Sequence, residues 1–257
     1  CMKQVPAGTK VDIDPETGAM KRLSSDTRTN PYDLFALETA LQIREKAGGS
    51  VTVLTMGPMQ AESMMRDAYT MGADEAVILS DRKFAGADVL STSYTLCQGI
   101  QVLGAADLII CGKQTTDGDT AQVGPAIAEH MHIPHAAWVN EIVDVEEKSV
   151  CVRQKLGDVT QVSRISCPCL ITVDKDICVP RLPSYRLKKK TEGKKIRILG
   201  FGDLPDQDMS RYGLVGSPTT VERMFAPPGV DRQIYLEGDA GQKAGSLFEI
   251  LTKKKII

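Results

Sequence analysis

Hydrophobic positions in the first half of the chain follow two rhythms. The apolar runs "SVTVLTMG" (50–57), "AVILS" (76–80) and "DLIIC" (107–111) each have the length of a buried strand. Between them the spacing becomes helical. Ala61, Met64, Met65, Ala68 and Met71 fall on one face of a segment that Gly72 stops, and a further helix is expected over about 88–103, closed by Gly104. Upstream, "TNPYDLFALETALQIREKAGG" puts Leu34, Leu37, Ala40 and Leu41 on one stripe. Asn30 stands at the N-cap, Pro31 at the first helical position, Asp33 in the first turn and Gly48 past the end. Strands alternating with helices of this length predict an α/β fold, with a parallel sheet covered on both faces.

From Val139 to about Lys175 the pattern changes to period two. This predicts short, hairpin-connected strands forming an antiparallel edge of the sheet. After Val179 it changes again. "PRLPSYRLKKKTEGKK" is strongly basic and "LPDQDMSRYGLVGSPTT" reads as loop, so residues 180–257 are expected to form an extended C-terminal arm that packs on a partner.

Composition narrows the functional classes. A chain of 257 residues with 42% hydrophobic and 25% charged residues is ordinary for a globular protein, and a net charge of -2 carries no global nucleic-acid or membrane signal. No apolar run approaches the length of a membrane span and no secretory signal is visible. Seven cysteines, mostly in apolar patterns, suit reduced thiols in a cytoplasmic protein.

The most informative stretch is "CGKQTTDGDTAQVGP" (111–125), a polar turn between a strand and a helix. A helix starting near Thr120 leaves unpaired N–H groups and a positive dipole end, which can take a pyrophosphate. Asp119 or Thr120 is expected to cap this helix, so the acids need not face the phosphate. Gly118 allows positive φ and close approach of a ligand, and Thr120 and Gln122 add side-chain hydrogen bonds. The alternative is a well-capped structural turn. Neither GxGxxG nor GxxxxGK[ST] is present.

The other candidates read more plainly. His130, His132 and His135 match no zinc spacing and read as surface imidazoles at a helix end. Cys167 and Cys169 flank Pro168, which argues for an edge strand with buried thiols. The lysines at 188–190, 194 and 195 read as a solvated face that lacks the aromatics of a nucleic-acid site. No nucleophile–base pair or metal cluster stands out, so a bound cofactor is expected to carry any redox or transfer chemistry.

Six separated segments carry a family resemblance: "KQVP" (3–6), "NPYDLFALETAL" (30–41), "LTMGP" (54–58), "MGAD" (71–74), "DLIICGKQTTDGDTAQVGP" (107–125) and "PRLPSYR" (180–186). Together they resemble the small (β) subunit of electron-transfer flavoproteins. Members usually carry a few apolar residues ahead of the Cys1 position, so the chain is expected to begin inside its first strand, either clipped or numbered from the first ordered residue. The resemblance implies a Rossmann-like nucleotide-binding domain over 1–179. Residues 180–257 would be a recognition loop and arm on the large (α) subunit.

Ordinary members hold AMP here, and electron-bifurcating members a second FAD. "DGDTAQVGP" and "GLVGSPTTV" (213–221) look like the bifurcating type. The resemblance therefore implies FAD, with AMP as the alternative, and NADH as transient hydride donor. Electrons would pass to ferredoxin or flavodoxin and to a flavin-dependent dehydrogenase of acyl-CoA or lactate type. Nucleotide contacts map to Cys1, Asn30, Pro31, Tyr32, Asp33, Met56, Asp117, Gly118, Asp119, Thr120, Ala121, Gln122, Val123, Gly124, Pro125 and Ala128. Partner recognition maps to Pro183, Ser184, Tyr185 and Arg186, with Tyr185 where many members have leucine. A non-redox subunit holding AMP and an ATP-using α/β protein are the competing readings; the latter lacks a phosphate-activating Lys/Ser motif.

Overall fold

Alternate residues of the central strands enter different cores, and this organises the fold. The computed structural model describes residues 1–7, 12–13, 20–21, 27–222 and 235–257. Its strands are β1 (Gln4–Pro6), β2 (Asp12–Ile13), β3 (Met20–Lys21), β4 (Thr27–Thr29), β5 (Thr52–Met56), β6 (Glu75–Leu79), β7 (Leu108–Gly112), β8 (His135–Glu146), β9 (Ser149–Leu156), β10 (Val159–Ser166), β11 (Cys169–Val173) and β12 (Arg197–Leu199). The helices are α1 (Pro31–Ala47), α2 (Glu62–Met71), α3 (Val89–Leu103), α4 (Val123–Met131), α5 (Tyr185–Lys190) and α6 (Ala240–Lys253).

One parallel sheet runs β12-β6-β5, and a mixed sheet runs β10-β9-β8-β11-β7. Residues 1–3 lie between them: Met2 N donates to Leu54 O at 2.9 Å, and Cys1 N donates to Ile110 O at 2.8 Å. The two small antiparallel ladders, β1–β4 and β2–β3, stand apart from this.

Leu54, Val77, Leu79, Ile109, Cys111 and Leu170 face a core closed by Tyr94 and Ile100 of α3 and Ile127 and Ala128 of α4. Their neighbours Val53 and Ile78 face the other way, onto Leu37 and Leu41 of α1 and Met64, Met65 and Ala68 of α2. Ile110, Ile171 and Val173 share that side, against Ala36 of α1 and Val150 and Val152 of β9. Helices therefore cover both faces, as the alternation predicts. All five apolar positions expected on this face are buried, Ala61 in the turn before α2 and Met64, Met65, Ala68 and Met71 on it; each methionine contributes on the order of 1.5–3 kcal/mol if fully withdrawn from water.

Two expectations change. β11 is not part of the edge: it runs parallel to both β7 and β8 and is buried along its whole length. Pro168 sits in the connection before it, where no ladder hydrogen bond is lost, so the apolar run rather than the proline decides its place. The antiparallel edge is β8-β9-β10.

The arm beyond 180 also divides. β12 adds to the parallel sheet beside β6, and Phe201, Leu204 and Tyr212 are buried in this chain's own core. α6 has a complete capping box at Asp239 and Gln242 yet buries no residue, with Leu247 and Phe248 exposed. Residues 223–234 of the expected arm lie outside the described residues.

Candidate functional site

The turn after β7 is held by three elements. Asn30 is fully buried, but its side chain does not cap α1. Its Nδ2 instead donates to Gln114 O at 2.9 Å, and its Oδ1 accepts from Thr116 N at 3.3 Å. Its backbone N–H reaches Lys3 O at 2.9 Å. One amide thus joins the N-terminal segment, the start of α1 and the turn, and losing it would orphan buried groups at about 1–3 kcal/mol.

Asp33, two residues into α1, is turned inward. Its Oδ2 accepts from Lys3 N at 2.7 Å, and burial pushes its carboxyl up to about 6. Gly112 makes this packing possible, because a Cβ there would stand 2.4 Å from Asp33 Oδ1 and 2.7 Å from the Tyr32 carbonyl carbon.

The acids of the turn are occupied internally. Asp117 takes both of its oxygens to Lys3 Nζ at 2.9 and 2.7 Å and accepts from Gly118 N at 2.8 Å. Burial acts to raise its pKa, but these partners hold the carboxyl below the usual range. Asp119 Oδ1 accepts from Gln114 Nε2 at 2.6 Å.

The backbone departs from the sequence reading at two points. α4 begins at Val123, not near Thr120; its N-cap is Gln122, and neither Asp119 nor Thr120 caps it. The reason is conformational: Asp119 (φ 51°) and Ala121 (φ 55°) are both left-handed, which delays the helix. Gly118 has no positive φ, and the nearest atom to a Cβ built there is Thr115 Oγ1 at 3.7 Å, so this glycine serves neither strain nor close packing.

Left-handed residues alternating with other conformations turn successive N–H groups into one concavity. Among the described residues, the N–H groups of Thr120, Ala121, Gln122, Val123 and Gly124 have no hydrogen-bond partner. The positive end of α4 lies behind them. Gly124 lets the helix approach β11, since a Cβ there would meet Thr172 Cγ2 at 2.5 Å. This arrangement suits the phosphate groups of a nucleotide.

The remaining positions divide. Cys1, Met56 and Val123 pack on the same core cluster, at the end of the sheet where the turn lies. Ala128 is fully buried, so its side chain belongs to the core. Pro31 and Tyr32 are half-buried at the start of α1, Pro125 is half-buried in α4, and Thr120 and Gln122 are exposed. Sequence reasoning missed Lys3, Gln114 and Gly112. Lys3 lay in a quoted segment and Gly112 directly follows a strand; nothing local marked Gln114.

Pro183, Ser184, Tyr185 and Arg186 lie together on the surface. Ser184 caps α5 by accepting from Leu187 N at 3.4 Å, and its own N–H donates to Thr70 O at 2.9 Å. Tyr185 is exposed, as are Val179 and Leu182, both 87% accessible and both missed. Glu38 of α1 anchors the stretch from below. It receives Arg181 Nε at 2.8 Å, Nη2 at 3.0 Å and the backbone N at 3.1 Å. Among the described residues, no group of three or more His, Cys, Asp or Glu is placed to hold a metal, and no helix is long and apolar enough to cross a membrane.

The electron transfer flavoprotein domain family matches residues 17–199. The chain belongs to the electron transfer flavoprotein family. It is 40% identical to the electron transfer flavoprotein subunit beta of Thermoanaerobacterium thermosaccharolyticum, across 100% of this chain and 98% of that protein. It is 41% identical to the caffeyl-CoA reductase–Etf complex subunit CarD of Acetobacterium woodii, with the same coverage. Protein FixA of Bradyrhizobium diazoefficiens is 41% identical, across 98% of this chain and 89% of that protein. As a small subunit of this family, the chain carries its turn at the carboxyl end of a parallel strand, where open α/β sheets bind ligands.

Proposed function

We propose that this chain is the FAD-holding small subunit of an electron-bifurcating electron transfer flavoprotein. The observation that carries the reading is the run of five unpartnered amides at 120–124, ahead of α4 and with both nearby carboxylates already neutralised or hydrogen-bonded. Those amides would hold the phosphates. Cys1, Met56, Val123 and the start of α1 at Asn30–Asp33 would bound the rest of the nucleotide. Bound FAD supplies one- and two-electron redox chemistry. The chain's own residues fix the donors in place before the nucleotide arrives, and Lys3 keeps Asp117 from repelling it.

NADH would be the hydride donor, ferredoxin or flavodoxin one electron acceptor, and a dehydrogenase paired with the large subunit the other. The Acetobacterium relative is named for a caffeyl-CoA reductase–Etf complex, which supports an acyl-CoA-type partner over a lactate dehydrogenase. The exposed Val179, Leu182 and Tyr185, with Pro183, Ser184 and Arg186, would meet that partner. Residues 1–179 would form the nucleotide domain, completed by β12 and the buried Phe201, Leu204 and Tyr212, and the partner-facing parts of 180–257 would be the stretch around Leu182–Arg186 and the unburied α6. The seven unpaired cysteines agree with a cytoplasmic setting.

The test is the nucleotide content of the purified complex with its large subunit, read together with NADH-dependent ferredoxin reduction. Two FAD per complex and NADH oxidation are expected. AMP with a single FAD and no NADH oxidation would make the chain a non-bifurcating small subunit. No adenine nucleotide at all would overturn the site.

A further inference from the structure

A second cavity lies at the far end of α4. It is an open pocket of about 440 Å3 between α3, the last turn of α4 and Arg211. This is within the range of small-molecule sites. α4 is nine residues long, so the cavity stands roughly 13 Å from the turn at the other end of that helix.

Two donors at its wall are held in place. Gln98 is only 5% exposed, and its Oε1 accepts from Asp206 N at 3.0 Å. That bond fixes the amide and leaves Nε2 at the cavity wall with no protein partner among the described residues. The Arg211 guanidinium stacks on the Tyr94 ring at 3.7 Å and has one ion pair, Nη1 to Asp206 Oδ2 at 3.3 Å. Stacking orients the planar fork and leaves its other N–H groups free. Asp206 itself is largely consumed, since it also accepts from the Tyr94 hydroxyl and from Asp208 N.

The exposed His132 imidazole completes the donor side, while His130 packs edge-on to Tyr94 with its Nε2 buried and unpartnered among the described residues. One carboxylate, Glu129, also lines the space, on the exposed side of α4. The negative end of α4 also faces this space, with His132 N and Ile133 N on Glu129 O and Ala128 O at 3.1 and 3.0 Å; it opposes an anion, so the Arg211 charge has to carry the recognition.

We propose that this pocket binds a small oxyanion, the carboxylate or phosphate group of a metabolite, on Arg211 and Gln98, with the His132 imidazole beside them. A fixed amide donor beside a pre-oriented guanidinium is the arrangement that recognises paired oxygens.

Histidine NMR gives a site-specific test, because the chain has three histidines and His135 does not line the cavity. The full chain is titrated with inorganic phosphate and, separately, with acetate. Saturable shifts of the His130 and His132 signals with at least one anion, and an unmoved His135, are expected. Phosphate alone would identify a phosphate site; a response to acetate would identify a carboxylate site. Arg211→Met keeps an apolar stem over Tyr94, and Gln98→Glu keeps the acceptor for Asp206 N while removing the donor. Each should weaken the titration by about tenfold or more, with the His135 signal reporting a retained fold. No saturable shift with either anion, an equal shift at His135, or wild-type titration in both variants would overturn the site.

Discussion

Replacing Gly124 by alanine should couple the packing of α4 to nucleotide retention. The added Cβ would stand 2.5 Å from Thr172 Cγ2, about 1 Å inside normal carbon–carbon contact, while Cys111 Cβ and Leu170 Cδ2 are both at an ordinary 3.5 Å. Either the first turn of α4 lifts from β11 or Thr172 leaves its rotamer. The second route is closed off, because Thr172 is 1% exposed and its Oγ1 accepts from Trp138 N at 2.9 Å. Overpacking of this kind costs about 1–3 kcal/mol, and here the displaced turn carries the amides of Val123 and Gly124. Thr172→Ser removes the offending methyl and keeps the hydroxyl, at a cost of about 1 kcal/mol alone for a buried methyl. The double variant should therefore be more stable than the sum of the singles predicts, by about 1–2 kcal/mol. Urea unfolding of the four proteins gives the coupling energy, and nucleotide content after gel filtration gives the functional arm. If Gly124→Ala is neutral, or Thr172→Ser fails to rescue it, α4 does not rest on β11 as described.

Other substitutions probe the remaining supports. Arg181→Met leaves the buried Glu38 carboxylate with Gln42 and one backbone N–H, and should cost about 2–3 kcal/mol at pH 7, discounted for the partial exposure of Arg181; the penalty should shrink below the ordinary carboxylate range, and an equal loss at acid pH would refute the ion pair. Asp33, raised from 3.8 to about 6, keeps its proton in the folded state where the unfolded chain has lost it, so its contribution is full below about pH 4 and is lost as pH rises through 6; Asp33→Asn should remove that slope from the urea midpoint between those limits, and an unchanged slope would refute it. Gly118→Ala should leave stability within about 0.5 kcal/mol and nucleotide content unchanged, since there is space and no positive φ; loss of either would mean that the ligand itself packs on Gly118.

β5, β6, β7 and the helices α1, α2 and α3 were legible because each of these strands is a short apolar run and each of these helices ends at a glycine. Gly72 and Gly104 end α2 and α3 where expected. β11 was misplaced because Pro168 is a strong local signal, whereas its central position depends on pairing with β7, some sixty residues earlier. The buried return of Phe201, Leu204 and Tyr212 was missed for a related reason: three isolated apolar residues in a loop-like stretch have no periodicity, and only the rings of Phe84 and Tyr94 reveal their place. At the turn, the presence of two acids and a glycine was readable, but their roles were not. Nothing in "DGDT" says that the aspartate after the glycine adopts positive φ while the glycine does not.

That inversion explains how the turn is built. A left-handed aspartate and a left-handed alanine each carry a conformational cost of about 1 kcal/mol or more, which a glycine at the same place would avoid. Such a conformation persists only when its surroundings over-determine it. Here Gln114 holds the Asp119 side chain, Lys3 holds Asp117, Asn30 holds Gln114 and Thr116, and Gly124 seats the following helix against Thr172. These supports come from the N-terminal segment, the start of α1, the turn itself and β11. The strain therefore depends on the whole sheet being assembled, and glycines at 119 and 121 would relieve it only by freeing the amides to wander. Amides fixed before binding lose little entropy when a phosphate arrives. The physical reason for non-glycine residues at these two positions is then the same as the reason for the site: rigidity of the donors is gained at the expense of local backbone comfort.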